Sequence, residues 1–176
     1  MTTSFPRPLI PPDLRWLIKS DMARVLDIDA ASFPVPWCKE ELRLSLSKRN
    51  SIGLVATHAG GSIICGYVNY LVHSGSLEIL RLAVAPEYRR IGVGGAMTNK
   101  LKAKLSSKSR IGISVAVPDF NLPAQLFFRS QEFRATRINH ARLACESDEY
   151  VMTYNLLDPS GNALSAFGRH HQHTKE

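Results

Sequence analysis

Between Leu77 and Leu105 the chain reads LEILRLAVAPEYRRIGVGGAMTNKLKAKL. The apolar run Ile79 to Val84 predicts a buried strand. Pro86 ends it, because proline has no N–H to give a ladder. Arg89-Arg90-Ile91-Gly92-Val93-Gly94-Gly95 follows, and then Ala96, Met97, Leu101 and Leu105 recur at helical spacing. A strand, a basic glycine-rich turn and a helix, in that order, make a phosphate site. Glycines let the backbone approach an oxyanion closely and turn its N–H groups inward. The helix N-terminus adds about half a positive charge, and arginines donate in pairs.

Two common phosphate loops do not fit. The ATP-type string Gly-x-x-x-x-Gly-Lys-Ser/Thr is absent. A dinucleotide fingerprint would need a third glycine where Met97 stands, and an acidic residue about twenty positions on, after a second strand. What remains is Arg89-x-x-Gly92-x-Gly94. This resembles the Arg/Gln-x-x-Gly-x-Gly/Ala pyrophosphate loop of the GCN5-related N-acetyltransferase (GNAT) superfamily. The resemblance implies acetyl-CoA as cosubstrate, held by Arg89, Arg90, Ile91, Gly92, Val93, Gly94 and Gly95. It also implies that free N–H groups near Leu82, Ala83 and Val84 meet the cofactor.

The 176 residues suit one domain with tails, expected at 13–157 between a Pro-rich tail 1–12 and a polar, His-containing tail 158–176. No run of eighteen apolar residues predicts a membrane span. No basic-then-apolar leader is visible at the N-terminus. Cys38, Cys65 and Cys145 have neither zinc nor disulfide spacing, so no metal site and a reducing cytoplasm are expected. Lys and Arg outnumber Asp and Glu by 22 to 15. The surplus is either a solvated surface or a field that concentrates polyanionic coenzyme A. Nucleic acid is not an expected ligand, because no recognition motif or aromatic interleaving accompanies the charge. His170, His171 and His173 read as part of a polar tail.

Along the chain, Leu14, Trp16 and Ile18 alternate as a first strand. Ser20 or Asp21 is placed to cap a helix carrying Val25, Leu26 and Ile28. Phe33-Pro34-Val35-Pro36-Trp37 breaks it before a short helix from Glu40 to Leu46. Strands are predicted at 51–58 and 63–72 with Gly60-Gly61 as the hairpin turn, then from Leu77. After the glycine loop and its helix come a strand Ile111–Val117, a loop 118–123, a helix through Ala124, Leu126, Phe127 and Phe128, a strand from Phe133, and a last strand through Tyr150, Met152, Tyr154 and Leu156. The order agrees with the superfamily's mixed α/β fold. That fold is a mostly antiparallel twisted sheet of about seven strands with about four helices, splayed between its fourth and fifth strands.

Asp27-x-x-Ala30-x-Ser32-Phe33-Pro34-x-Pro36-Trp37 resembles the ribosomal-protein-alanine N-acetyltransferase (RimI-type) subfamily. There the turn borders the peptide site, so Phe33, Pro34 and Trp37 are implied to bind the acceptor, unless they are core. Asn121, Ala124 and Phe128 match the family's Asn, small, aromatic pattern and are implied near the cofactor. The Asp148-Glu149-Tyr150-x-Met152 ending also matches, and the resemblance covers 13–156. Three positions depart from the pattern. Ala116 stands where the family places a general-base Glu. Phe128 stands for a general-acid Tyr, and His140-Ala141 for a tyrosine pair. Glu132-Phe133 stands where Gly-Phe is usual.

The implied reaction is attack of an amine on a thioester, with a protein N-terminal α-amine the leading acceptor. A small amine, a lysine, or cofactor binding without catalysis are the alternatives. An α-amine with pKa near 7.7–8 is about one-fifth neutral at physiological pH. A lysine near 10.4 lies about 2.6 units higher, roughly 3.5 kcal/mol harder to deprotonate. An α-amine therefore tolerates a weak base. Glu78, acting through a water, is the first candidate and His140 the second; both also read as surface groups. Tyr150 is a candidate donor to the leaving thiolate, or a core tyrosine. Arg81 falls on the opposite strand face from Glu78, where it is read as an ion-pair partner of Glu78 or an edge residue, or as a functional group.

Overall fold

The computed structural model describes residues 11–58, 60–141 and 147–156. Seven strands, β1 (Asp13–Trp16), β2 (Ser51–His58), β3 (Ile63–Val72), β4 (Ser76–Val84), β5 (Gly112–Pro118), β6 (Arg134–Asn139) and β7 (Glu149–Asn155), form one sheet in the order β1-β2-β3-β4-β5-β7-β6. The helices are α1 (Met22–Ala30), α2 (Lys39–Ser47), α3 (Val93–Lys102) and α4 (Leu122–Ser130). Of the pairings defined residue by residue, β1 with β2, β5 with β7 and β6 with β7 are antiparallel, and β4 with β5 is parallel. The parallel run is short: Ser76–Ile79 against Gly112–Val115, in strands of nine and seven residues. This is the expected mixed α/β architecture and element order. The expected tails at 1–12 and 158–176 fall, apart from residues 11 and 12, outside the described residues, as do Cys145 and the tail histidines.

The chain divides into two compact units. The first comprises the described residues of Met1–Tyr70 and Arg81–Lys100. Its core is Val25, Ile28, Leu42, Val55, Tyr67, Ala83 and Ala85, against which Phe33, Trp37 and Tyr88 pack. Gly66 in β3 belongs to this unit. A Cβ there would lie 2.9 Å from the Ala83 carbonyl and 3.2 Å from Met97 Cε, so only glycine fits the close approach. The second unit comprises the described residues of Leu71–Leu80 and Leu101–Glu176. Leu77, Ile79, Ile113, Val115, Val117, Phe128 and Phe133 are buried within it.

Local chemistry sets several boundaries. Asp21 precedes α1 without capping it. Its carboxylate instead accepts the Ile18 N–H at 2.9 Å and pairs with Arg15 at 2.6 and 2.9 Å. Arg15 holds that carboxyl below its ordinary range. Ile18, expected in β1, lies beyond it and is exposed. Cys38 caps α2 reciprocally: Glu41 accepts the Cys38 N–H at 2.7 Å, and the Glu41 N–H donates to Cys38 Sγ at 3.5 Å. Asn121 caps α4, its Oδ1 accepting the Ala124 N–H at 3.2 Å. Pro123 sits in the first turn of α4, where a missing N–H costs nothing.

Two expected burial patterns change. Ile79–Val84 is not a uniformly buried run: Leu77, Ile79 and Ala83 are buried, and the residues between them are half-buried. In β7 the burial does not alternate, because Val151, Met152 and Thr153 are all buried. That strand is hydrogen-bonded on both sides, by β5 and by β6.

Candidate functional site

In the first unit the loop after β4 holds the basic, glycine-rich segment. Ala85 donates to the Cys65 carbonyl at 2.9 Å, and Pro86–Tyr88 make one 3-10 turn. Arg90 (φ 65°) and Gly92 (φ 96°) then lie in the left-handed region. Nothing lies within 4 Å of where a Gly92 side chain would begin. Glycine is therefore required by the backbone and not by crowding. The helix starts earlier than the apolar spacing suggested, at Val93 instead of after Gly95. The Ala96 N–H closes the first turn on the Gly92 carbonyl at 2.9 Å. Gly94 and Gly95 are thus first-turn residues. The N–H groups of Val93, Gly94 and Gly95 have no acceptor within the helix, and they carry its positive end. Val93 itself is buried while Gly94 and Gly95 are half-exposed.

Arg89 is committed to protein. Its Nε donates to the Val84 carbonyl at 2.9 Å, and Nη2 donates to Ala31 O at 3.3 Å and Ser32 Oγ at 3.0 Å. The side chain braces the loop between the end of β4 and the end of α1. The anion-facing groups this leaves are the backbone N–H groups of the first α3 turn and the exposed Arg90. A polyanionic pyrophosphate fits that donor set.

The turn between α1 and α2 is held in the same unit. Phe33 and Trp37 are half-buried, Pro34 and Pro36 are exposed, and Val35 at the tip is 77% exposed. Behind the turn stands Asp29, 1% exposed, which accepts the Trp37 N–H at 2.6 Å and the Tyr67 hydroxyl. Burial and this acidic partner push the Tyr67 hydroxyl far above its ordinary range. Arg81 projects from β4 toward the turn. Its Nη2 donates to the Val35 carbonyl at 3.0 Å, and its Nη1 lies 3.9 Å from Asp29. Its guanidinium carbon lies 4.0 Å from the Phe33 ring centroid and 4.8 Å from that of Trp37.

In the second unit Glu78 occupies the start of β4, opposite Ser114 of β5. Its carboxylate lies 2.9 Å from His73 Nε2, and both side chains are partly exposed. His73 is fixed at its backbone, its N–H donating to Ser76 O at 2.9 Å and its carbonyl accepting from Arg110 Nε at 3.0 Å. His140 is largely exposed and pairs through Nδ1 with Asp148 at 3.0 Å. Asp148 also accepts the Ala141 N–H at 2.8 Å, and these bonds hold its carboxyl below the usual range. Tyr150 is half-buried in β7 between Val117 of β5 and Ile138 of β6. Ala116 is exposed on β5.

Two residues matched to cofactor positions serve the fold. Phe128 is buried, packing edge-on against Phe127 and Phe133 at 5.0 and 5.2 Å. It is a core residue of α4. Asn121 uses its side-chain oxygen as the helix cap. Sequence reasoning missed Asp29, Tyr67 and His73. Asp29 left one signal: it stands four residues after Val25 on the apolar stripe of α1, where an acid must find buried partners. Among the described residues, no group of three or more His, Cys, Asp or Glu is arranged to hold a metal ion, and no helix is long and apolar enough to cross a membrane.

Comparisons with known proteins agree on this architecture. No curated protein matches the chain in sequence. Among solved structures, it is similar to the ribosomal-protein-S18-alanine N-acetyltransferase of Escherichia coli (18% identity, TM-score 0.70, 82% of this chain and 93% of that one). It is similar to Ard1 of Thermoplasma volcanium (20% identity, TM-score 0.73, 85% and 100%). It is also similar to NAA60 of Arabidopsis thaliana in complex with acetyl-CoA (20% identity, TM-score 0.70, 82% and 99%). The sequence model of the acetyltransferase (GNAT) family matches residues 22–133, a span that takes in the turn after α1, the bracing Arg89 and the glycine-opened α3. With the loop, the helix start and the sheet order in agreement, the chain belongs to the GNAT acetyltransferase family, whose cosubstrate is acetyl-CoA.

Proposed function

We propose that this acetyltransferase acetylates the N-terminal α-amine of a protein, a ribosomal protein-like chain being the leading acceptor class. The observation that carries this reading is the Phe33–Trp37 turn. Its aromatic ends are half-buried, its proline-flanked tip is exposed, and it is fixed from behind by Asp29 and Arg81. A fixed, narrow lip suits the first residues of an extended chain, whose ordering it spares. The resemblance of this turn to the RimI-type subfamily, and the S18-alanine acetyltransferase among the structural neighbours, support the same acceptor.

The chemistry asks little of the protein. Acetyl-CoA supplies an activated thioester, held by the first-turn N–H groups of α3, Arg90 and the end of β4 at Leu82, Ala83 and Val84. The acceptor amine is already partly neutral, and positioning alone supplies much of the rate. Glu78, oriented by His73, takes the amine proton through a water as the C–N bond forms. Tyr150 returns a proton to the departing thiolate. Ala116 cannot serve as a base, and Phe128 puts no polar group at the position of the family's acid.

The test is thiol release from acetyl-CoA with a library of N-terminal peptides, beside a lysine peptide and spermine, followed by mass spectrometry of the products. Acetyl groups confined to peptide N-termini are expected. Turnover on the lysine peptide or spermine alone would reject the α-amine reading. Tight acetyl-CoA binding with no turnover on any acceptor would make the chain a binding module.

A further inference from the structure

Phe33, Val35 and Trp37 of the turn are each tied to Arg81 or Asp29. The ring that opens it lies 4.0 Å from the Arg81 guanidinium, and the carbonyl at its tip accepts from Arg81 at 3.0 Å. The ring that closes it lies 4.8 Å from the same guanidinium, and the Trp37 N–H donates to Asp29 at 2.6 Å. Arg81 is itself largely desolvated, its side chain 15% exposed, and Asp29 at 3.9 Å is its nearest counter-charge. Asp29 in turn is steadied by the Tyr67 hydroxyl. A planar guanidinium can lie against two rings and donate to a carbonyl in one pose; an ammonium cannot do all of this.

We propose that Arg81 is the positioning residue of the acceptor site, setting acceptor affinity by fixing the Phe33–Trp37 turn without touching acetyl-CoA or the reacting atoms. Asp29 is its anchor. The proposal rests on the reading of that turn as the acceptor's lip, and it assigns acceptor binding to a β4 side chain.

The experiment compares Arg81→Lys, Asp29→Asn and Val35→Asp in a Trp16→Phe background, where Trp37 is the single tryptophan. Arg81→Lys keeps the buried charge and removes the fork and the flat face. It is expected to raise the acceptor KM roughly five- to tenfold, the scale of one desolvated cation–π and hydrogen-bond set. KM for acetyl-CoA should change less than twofold, and acrylamide should quench Trp37 more readily. Asp29→Asn, at a residue too buried for any acceptor to reach, is expected to move the same two readouts in the same direction. It keeps the proposal testable if the lysine variant does not fold. Val35→Asp tests the lip itself and should raise the acceptor KM. If Val35→Asp does so while Arg81→Lys and Asp29→Asn leave the acceptor KM unchanged, the positioning role is overturned and the lip reading stands. If none of the three moves it, the lip reading falls. If Arg81→Lys raises both KM values together, Arg81 is a general structural residue and the proposal is overturned.

Discussion

Asp29 and Tyr67, on α1 and β3, share one hydrogen bond in the core of the first unit, the phenol donating to a carboxylate that is 1% exposed. Burial first, and the carboxylate second, push the Tyr67 hydroxyl well above its unfolded value of 10.0. The sign follows from the direction. A group whose folded pKa is raised contributes stability that is fully present below the unfolded pKa and is lost as pH rises above it. The urea midpoint of the wild type should therefore hold through neutral pH and fall above about 10. Tyr67→Phe should be less stable by about 1–3 kcal/mol at pH 7, because Asp29 loses a buried donor. It should also show a shallower alkaline fall. Urea titrations of the two proteins between pH 7 and 11 check both parts, and parallel curves would show that Tyr67 keeps its ordinary pKa.

Glu132 stands where the family resemblance implies glycine, and the backbone gives a reason for one. It follows α4 at φ 66°, in the left-handed region that closes helix ends. Its compensation is an ion pair with Lys102 at 2.8 Å, but the Glu132 side chain is 74% exposed. Such a solvated pair contributes little, against roughly 1–2 kcal/mol for a side chain in this conformation. Glu132→Gly should leave the protein equally stable or up to about 1 kcal/mol more so, once the glycine's extra unfolded-state entropy is subtracted. Thermal unfolding decides it. A clear fall in Tm would mean that the Lys102 pair outweighs the backbone strain.

The fold was legible because its signals are local. Pro86 after an apolar run, Gly60-Gly61 between two strands, and Pro36 between two helical stretches each mark a boundary by excluding a conformation. The strand-turn-helix order around the glycines was legible for the same reason, although the helix begins at Val93 and Arg89 is tied to the Val84 carbonyl. What stayed hidden depends on partners distant in sequence. Asp29 meets Tyr67 across 38 positions, and Arg81 meets Val35 across 46. Asn121 was legible as a family match but not as a helix cap, since its partner Ala124 was read for its size alone. Phe127 and Phe128 could not be assigned from adjacency. The contacts of Phe128 with both Phe127 and Phe133 settle which one is core.

Gly92 offers a test of the loop that leaves its surroundings intact. At φ 96° it occupies backbone space that an alanine rarely enters, yet no atom lies within 4 Å of the missing side chain. Gly92→Ala therefore strains the loop and nothing else, by about 1–3 kcal/mol. The loop is expected to relieve that strain by turning its N–H groups away from the pose that receives a pyrophosphate. Calorimetry should find acetyl-CoA bound about tenfold more weakly, which is about 1.4 kcal/mol, with a smaller proportional loss for a pantetheine thioester lacking the phosphates. Equal losses for the two ligands would place the phosphate site elsewhere.

Glu78 and His73 separate a base from a strand-end lock. Their side chains are 2.9 Å apart and both partly exposed, so the contact alone contributes little to stability. If Glu78 draws the amine proton through a water, Glu78→Gln should lower kcat by about 10²–10⁴ while leaving acetyl-CoA affinity unchanged. His73→Asn removes only the group that orients the carboxylate, so it should cost a smaller factor in kcat. Its effect should also depend on the acceptor's pKa: small for an α-amine peptide, larger for a more basic amine, which leans harder on the base. Steady-state rates at pH 7 and 9 with both acceptors give the comparison. A lock would behave differently, because both variants would then lose the same small increment of Tm and keep wild-type kcat at both pH values.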